Sequence, residues 1–297
     1  MVHDHDTGAR CTGLRGRLSA GDRLNLIRVI PAKGGGNAVS NQVGDEPAGK
    51  TGRSRGFVDY ERVANLYLRG RALSTDILDK WGAVVVSRLP DPTSRVLDVG
   101  AGTGIFASAW PSWTSASVVA VEPAKAMTNA AVSDGVRVPF VRGVAEALPF
   151  PNGRLDVVWV SAALHHFSDL GRAVDEFGRV LRPGGRALVR THLPGRTEVT
   201  FADEFPGRYK WTRRFQTEEE LRQLFGKAEF DTVDVTDVLE WEEPYSASAD
   251  WVVMMRNADS ILTALSDDDI AAGLDALRSQ PDQIGRLEVT LLTFERA

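Results

Sequence analysis

The sequence predicts an α/β fold built around a mostly parallel sheet. Three observations carry that prediction. Short apolar runs of the kind that fill buried parallel strands recur at Arg95–Val99, Ser117–Val121 and Leu155–Ser161, with helix-length segments between them. A glycine loop, Gly100-Ala-Gly-Thr-Gly104, follows the first run directly. Its alternate glycines let the backbone turn sharply and admit a ligand without Cβ clashes. An acid, Glu122, closes the second run about twenty residues past the loop, a place from which a carboxylate can accept both hydroxyls of a ribose.

Composition bounds the class. The 297 residues suffice for one large α/β domain or two small ones. Hydrophobic content of 43% and charged content of 25% are ordinary for a globular chain, and a net charge of -5 gives no electrostatic case for nucleic acid or an anionic membrane. A single cysteine, Cys11, excludes an intramolecular disulfide framework and a multi-Cys metal site. No apolar run approaches membrane-spanning length. Leu24–Ile30 is too short and too interrupted for a signal-peptide core, so the reading is a cytoplasmic protein. Residues 1–55 stand apart, with nine Lys or Arg against five Asp or Glu; they carry +4 and leave -9 for the rest. With Gly34-Gly-Gly36 and a polar stretch to Arg55, they read as a disordered extension outside a single domain over 56–297.

The elements follow in order. Helical spacing of Tyr60, Val63, Ala64 and Tyr67, then of Leu73, Ile77, Leu78, Trp81 and Val85, predicts two helices broken near Gly70. Ser74 or Thr75 caps the second. Tyr67 and Arg71 lie one turn apart; either they close over a ligand carboxylate, or they are a packed Tyr and a solvated Arg. Pro90-Asp-Pro92 leads into the strand at Arg95, with Asp98 near its end. From Thr103 the chain reads as a helix, so the loop presents N-terminal amides to a ligand. Pro123 opens the next helix at its favoured first position. Val136–Val141 reads as a third strand and Leu155–Ser161 as a fourth, followed by Leu164-His-His-Phe167. A helix over 170–181, the turn Arg182-Pro-Gly-Gly185 and a fifth strand over 186–190 come next. Further on, Thr217 and the acids after it cap a helix to about Lys227. Thr232–Leu239 alternates as a half-exposed strand, Ser246–Leu265 reads as one apolar helix, and Leu287–Phe294 is the closing strand.

A dinucleotide fingerprint needs a third glycine where Ile105 stands. The pattern Asp98-x-Gly-x-Gly-x-Gly104 instead joins Val121-Glu-Pro123, Ala145-Glu-Ala-Leu-Pro-Phe150, Leu164-His-His-Phe167 and Val180-Leu-Arg-Pro-Gly-Gly185. In that order these pieces, spanning 95–190, resemble the ubiquinone/menaquinone-biosynthesis type of small-molecule, class I S-adenosylmethionine (SAM)-dependent methyltransferases. The resemblance implies a Rossmann-like fold: a mostly parallel seven-stranded sheet, helices on both faces, and an antiparallel edge made by the last two strands. It also implies a helical lid over the substrate, from insertions at about 200–216 and 244–283.

The same resemblance implies SAM as cofactor. Asp98, Gly100, Ala101, Gly102 and Gly104 would hold its methionine end, Glu122 with Pro123 its ribose, and Ala145 with Glu146 its adenine edge. Tyr67 and Arg71 look like the lid helix of some members. Relatives place an acid after the glycine of the third loop, where this chain has Val144. Glu146 or a backbone carbonyl then takes that role, or SAM binding is weakened. Trp211, Trp251, Met254 and Met255 are either pocket wall or ordinary core.

A sulfonium makes its methyl group electrophilic, so displacement needs no metal. It needs a positioned nucleophile and exclusion of water, and positioning alone supplies about 7–11 kcal/mol. A base is required when the nucleophile is not already ionised. His165 and His166 past the fourth strand are the candidates, with His166 favoured, and His192 past the fifth is another; packing is the alternative for each. Adjacent side chains should diverge, leaving one of His165 and His166 to face the methyl. The reading is methylation of a small organic molecule in specialised metabolism, with neither nucleic acid nor membrane as partner. The alternatives are a SAM-binding cyclase or rearrangement protein of the same fold, and an RNA or protein methyltransferase, which the acidic core disfavours.

Overall fold

The computed structural model describes residues 59–208, 213 and 215–297. The expectations for residues 1–55 and for Trp211 lie outside the described residues. Helices α1 (Tyr60–Gly70) and α2 (Thr75–Val86) come first, and Ser74 Oγ caps α2 by accepting from the Ile77 amide at 3.3 Å. Strands and helices then alternate: β1 (Arg95–Val99), α3 (Ile105–Trp113), β2 (Ser117–Val121), α4 (Lys125–Ser133), β3 (Phe140–Val141), β4 (Leu155–Ser161), α5 (Leu170–Val180) and β5 (Leu181–Thr191). The chain closes with α6 (Glu218–Lys227), β6 (Phe230–Pro244), α7 (Tyr245–Met255), α8 (Asp267–Ser279) and β7 (Ile284–Arg296).

The seven strands form one sheet in the order β3-β2-β1-β4-β5-β7-β6. The first five are parallel, and β7 runs antiparallel between β5 and β6. Strands β1, β2 and β4 are buried at nearly every position, which is why they are written as unbroken apolar runs rather than alternating ones. Against them packs an aromatic core of Trp81, Phe106, Trp110 and Trp159. A second apolar cluster joins α7, α8 and the segment between them, with Tyr245, Val252, Met255 and Leu262 at its centre.

Several boundaries differ from expectation. The third strand is two residues long, because Pro139 has no amide to extend the ladder towards Val136. The fifth pairs with β4 at Leu181 and resumes at Arg186, so Arg182–Gly185 bulge out between. The helix expected over 246–265 stops at Met255. There Asp259 Oδ1 accepts from the amides of Ile261 and Leu262 at 2.9 and 3.0 Å and turns the chain into a short 3-10 segment, Leu262–Ala264. Helix α8 follows, opened by a capping box between Ser266 and Asp269. Among the described residues no helix is long and apolar enough to cross a membrane.

Candidate active site

The strand order reverses between β1 and β4, and in open α/β sheets such a point leaves a crevice at the strands' carboxyl ends. Here a cavity of about 530 Å³ opens there, bounded by the glycine loop, helices α1 and α7, and residues 259–265. Asp98, Gly100, Ala101 and Gly102 line it, as do Tyr67, Arg71 and the three histidines at 165, 166 and 192. Gly104, Glu122, Pro123, Ala145 and Glu146 are not among its lining residues.

The loop is built from left-handed glycines, with φ of +70° at Gly100, +57° at Gly102 and +76° at Gly104. A Cβ at Gly100 would sit 2.7 Å from that of Ala163, so the loop must pass bare against the turn after β4. At Gly102 the nearest atom to such a Cβ is Tyr67 Cε1 at 3.9 Å, which leaves an open cradle between loop and α1. Four of the loop's own amides, all before the helix start at Ile105, are engaged inside the fold. The amides of Gly100 and Ala101 bond the Val121 carbonyl at 2.9 and 3.1 Å, that of Gly102 bonds Glu122 Oε2 at 2.9 Å, and that of Gly104 bonds the Ala101 carbonyl at 2.9 Å. Buried amides need partners, and these find theirs inside the fold.

Glu122 therefore braces the loop. Its Oε1 also accepts from the Ala124 amide at 2.9 Å, at the start of α4, and the residue is 7% exposed. Glu146 is occupied elsewhere too: Oε1 accepts from the Ser168 amide at 2.6 Å, the Ser168 hydroxyl at 2.8 Å and the Asp169 amide at 3.2 Å, which fixes the entry to α5. Ala145 beside it is buried, and Val144 is exposed.

Asp98 is 2% exposed, and its carboxylate accepts a hydrogen bond from no described residue. Burial, with Glu122 nearby, pushes its pKa up to about 8. A buried carboxyl without a donor but open to a cavity suits a ligand bearing positive charge. SAM carries such charge on both its sulfonium and its ammonium, so the residues present fit it.

Adjacent side chains were expected to diverge, but both histidines face the cavity, their rings 3.9 Å apart. They sit in a 3-10 turn, Leu164–His166, and each ring is held from outside. Tyr60 bonds His166 Nε2 at 2.8 Å; Phe215 lies tilted against His165 with ring centroids 4.7 Å apart, and Ser260 Oγ is 3.4 Å from His165 Nε2. His192 bonds Thr197 Oγ1 at 2.7 Å, and burial lowers its pKa to about 4. Arg71 is neither solvated nor simply poised over the cavity: it is ion-paired with the fully buried Asp259 and lies over the rings of Tyr67 and Trp251. Trp251 and Met254 line the cavity, whereas Met255 is fully buried against Gly70.

A further pair went unread in the sequence. Arg190, at the end of β5, and Glu240 of β6 form an ion pair whose side chains are 10% and 4% exposed, and both line the cavity. Arg190 also donates to Ser161 Oγ at 3.0 Å, and its guanidinium lies over Trp81 and Phe106. The available signal was a charge inside an apolar strand: Arg190 ends Ala187-Leu-Val, and Glu240 follows Val238 at the strand's period of two.

Comparison with known proteins agrees with this geometry. A family model described as a methyltransferase domain matches residues 97–189. An uncharacterised methyltransferase, YcgJ of Bacillus subtilis, is 40% identical over 116 residues, covering 37% of this chain and 45% of its own. The demethylmenaquinone methyltransferase of Clavibacter sepedonicus is 31% identical over 135 residues, covering 44% and 55%. The chain thus spans about half the length of the curated relatives it matches. In fold it is similar to the [4+2]-cyclase SpnF, at 22% identity and a TM-score of 0.57 over 80% of this chain and 93% of that one. A putative methyltransferase from an antibiotic biosynthesis pathway of Anabaena variabilis is similar at 21% identity and a TM-score of 0.58, over 72% and 96%. Residues 97–189 thus match a methyltransferase domain, and they hold the left-handed glycine loop and the parallel strands of the sheet.

Proposed function

We propose that the chain transfers the methyl group of SAM to a small organic molecule of specialised metabolism. The observation that carries this reading is the buried Asp98 carboxyl, without a donor, beside the bare Gly100–Gly102 cradle of a cavity that extends towards Arg190 and Glu240. When bound, SAM supplies a methyl group made electrophilic by its sulfonium. Asp98 meets positive charge on the methionine end. Glu122 holds the Gly102 amide and so fixes the loop beside which the cofactor would lie. Tyr67 and Arg71 cover the cradle from α1, and the apolar walls exclude water. Where the acceptor is not already ionised, His166 or His165 takes its proton.

The test is direct. Calorimetry should show SAM and S-adenosylhomocysteine binding, and mass spectrometry should detect S-adenosylhomocysteine release when the protein is incubated with SAM and a small-molecule acceptor library. Binding without release across the library would favour the non-methylating alternative. Absence of binding would remove both.

A further inference from the structure

The far wall of the cavity carries a carboxylate with one oxygen saturated and the other unused. Glu240 Oε1 accepts from Trp81 Nε1 at 2.6 Å and from Arg190 Nε at 2.8 Å, with a further bond from Arg190 Nη2. Oε2 accepts from no described residue, although the side chain is only 4% exposed and the residue lines the cavity. An oxygen left open on the cavity side of an otherwise enclosed carboxylate is placed to accept from whatever fills the cavity. Arg190 is fully engaged by Glu240, Ser161 and two aromatic faces, and it holds the carboxylate in one orientation. The surrounding wall is apolar and aromatic: Phe106, Phe205, Trp241, Leu287 and Val289 line the same cavity.

We propose that Glu240 Oε2 receives a hydrogen-bond donor of the methyl acceptor, and that the acceptor is an apolar, ring-bearing molecule carrying a hydroxyl or an amine rather than a carboxylate. This rests on the methyl-transfer reading above and deepens it. A hydroxyl or ammonium satisfies Oε2. A carboxylate in the same place would put two anions together and leave both without donors, which discriminates strongly against it.

The test uses three probes with one body: 2-naphthalenemethanol, 2-naphthylmethylamine and 2-naphthoate. Each is titrated by calorimetry into the full chain saturated with S-adenosylhomocysteine, which covers Asp98; Asp259 is paired with Arg71, and the Glu240 variants below separate Glu240 from Glu243, which lines the same cavity. The alcohol or the amine should bind at least tenfold tighter than the naphthoate. In Glu240→Gln the preference should fall below threefold, because the amide no longer repels the anion and Arg190 is released. If that variant unfolds, Glu240→Gln combined with Arg190→Gln removes both charges while keeping shape, and the same loss of preference is expected. Equal binding of the three probes, binding of none, or a preference unchanged in the variants would overturn the proposal. Failure of the wild-type chain to bind S-adenosylhomocysteine would instead overturn the cofactor reading beneath it.

Discussion

The Tyr60 hydroxyl and His166 Nε2 lie 2.8 Å apart and tie helix α1 to the turn after β4. Burial, and Tyr67 beside it, push the Tyr60 phenol well above its usual range, so the hydroxyl stays neutral. The bond holds the imidazole in place, its direction set by the ring's tautomer. His166→Gln should lose about 10²–10⁴ in turnover while SAM affinity persists, and His165→Gln should change the rate only mildly. Tyr60→Phe should cost less than His166→Gln and shift the acid limb of the pH–rate profile. Near-full turnover in both histidine variants would leave positioning, or an already ionised acceptor, to carry the reaction.

Gly102 sits at φ +57°, with open space where a Cβ would project towards Tyr67. Gly102→Ala should therefore cost about 1–2 kcal/mol in folding, from backbone strain alone. The same methyl group would stand in the cradle and lower SAM affinity at least tenfold. Thermal unfolding and calorimetry on one preparation separate the two effects. Unchanged affinity would mean the ligand does not pass close to this loop.

Asp98 makes stability fall as pH rises. Its folded pKa of about 8 lies above its ordinary value of 3.8, so its contribution is fully present below about pH 4 and is lost as pH climbs to 8. Asp98→Asn should flatten that slope, by on the order of a few kcal/mol across the window. A cationic ligand re-ionises the group, so SAM binding near pH 7 should release a proton. Binding enthalpies in buffers of different ionisation heat would read it, and identical enthalpies would exclude Asp98 as the counter-charge.

Arg71 and Asp259 join α1 to the segment after α7, with Asp259 fully buried and Arg71 about one-third exposed. Breaking a buried pair from one side leaves the other charge uncompensated. Asp259→Asn should lower stability by about 1–3 kcal/mol and speed SAM dissociation, because Arg71 no longer anchors the cavity's cover. A double-mutant cycle with Arg71→Gln isolates the pairwise part. A coupling near zero would make the contact incidental.

The parallel half of the sheet was legible because strands buried on both faces are written as apolar runs, and Leu155–Ser161 was readable to its end residues. The glycine loop was legible for a related reason, since left-handed backbone at three alternate positions almost demands glycine. The cover over the cavity was not. Apolar composition over 246–265 shows burial but does not say that the helix stops at Met255 or that Asp259 then bonds the amides that follow it to set the next turn. Arg190 and Glu240 were missed because 50 residues separate them and their meeting depends on β7 running between β5 and β6. The motif around Glu146 did not show that its Oε1 also holds the start of α5, because that bond is made to Ser168 and Asp169, over twenty residues on.

Trp81 lies one hydrogen bond behind the cavity wall. Its indole donates to Glu240, the Arg190 guanidinium covers its face at 5.2 Å, and Trp159 stands 6.4 Å away. Indole emission responds to nearby charge, and here a fixed anion and a fixed cation flank one ring. Whatever engages the other oxygen of Glu240 redistributes that charge within a few ångströms of the chromophore. Trp81 is therefore one fluorescent gauge of acceptor binding, beside Trp241 and Trp251, which line the cavity directly.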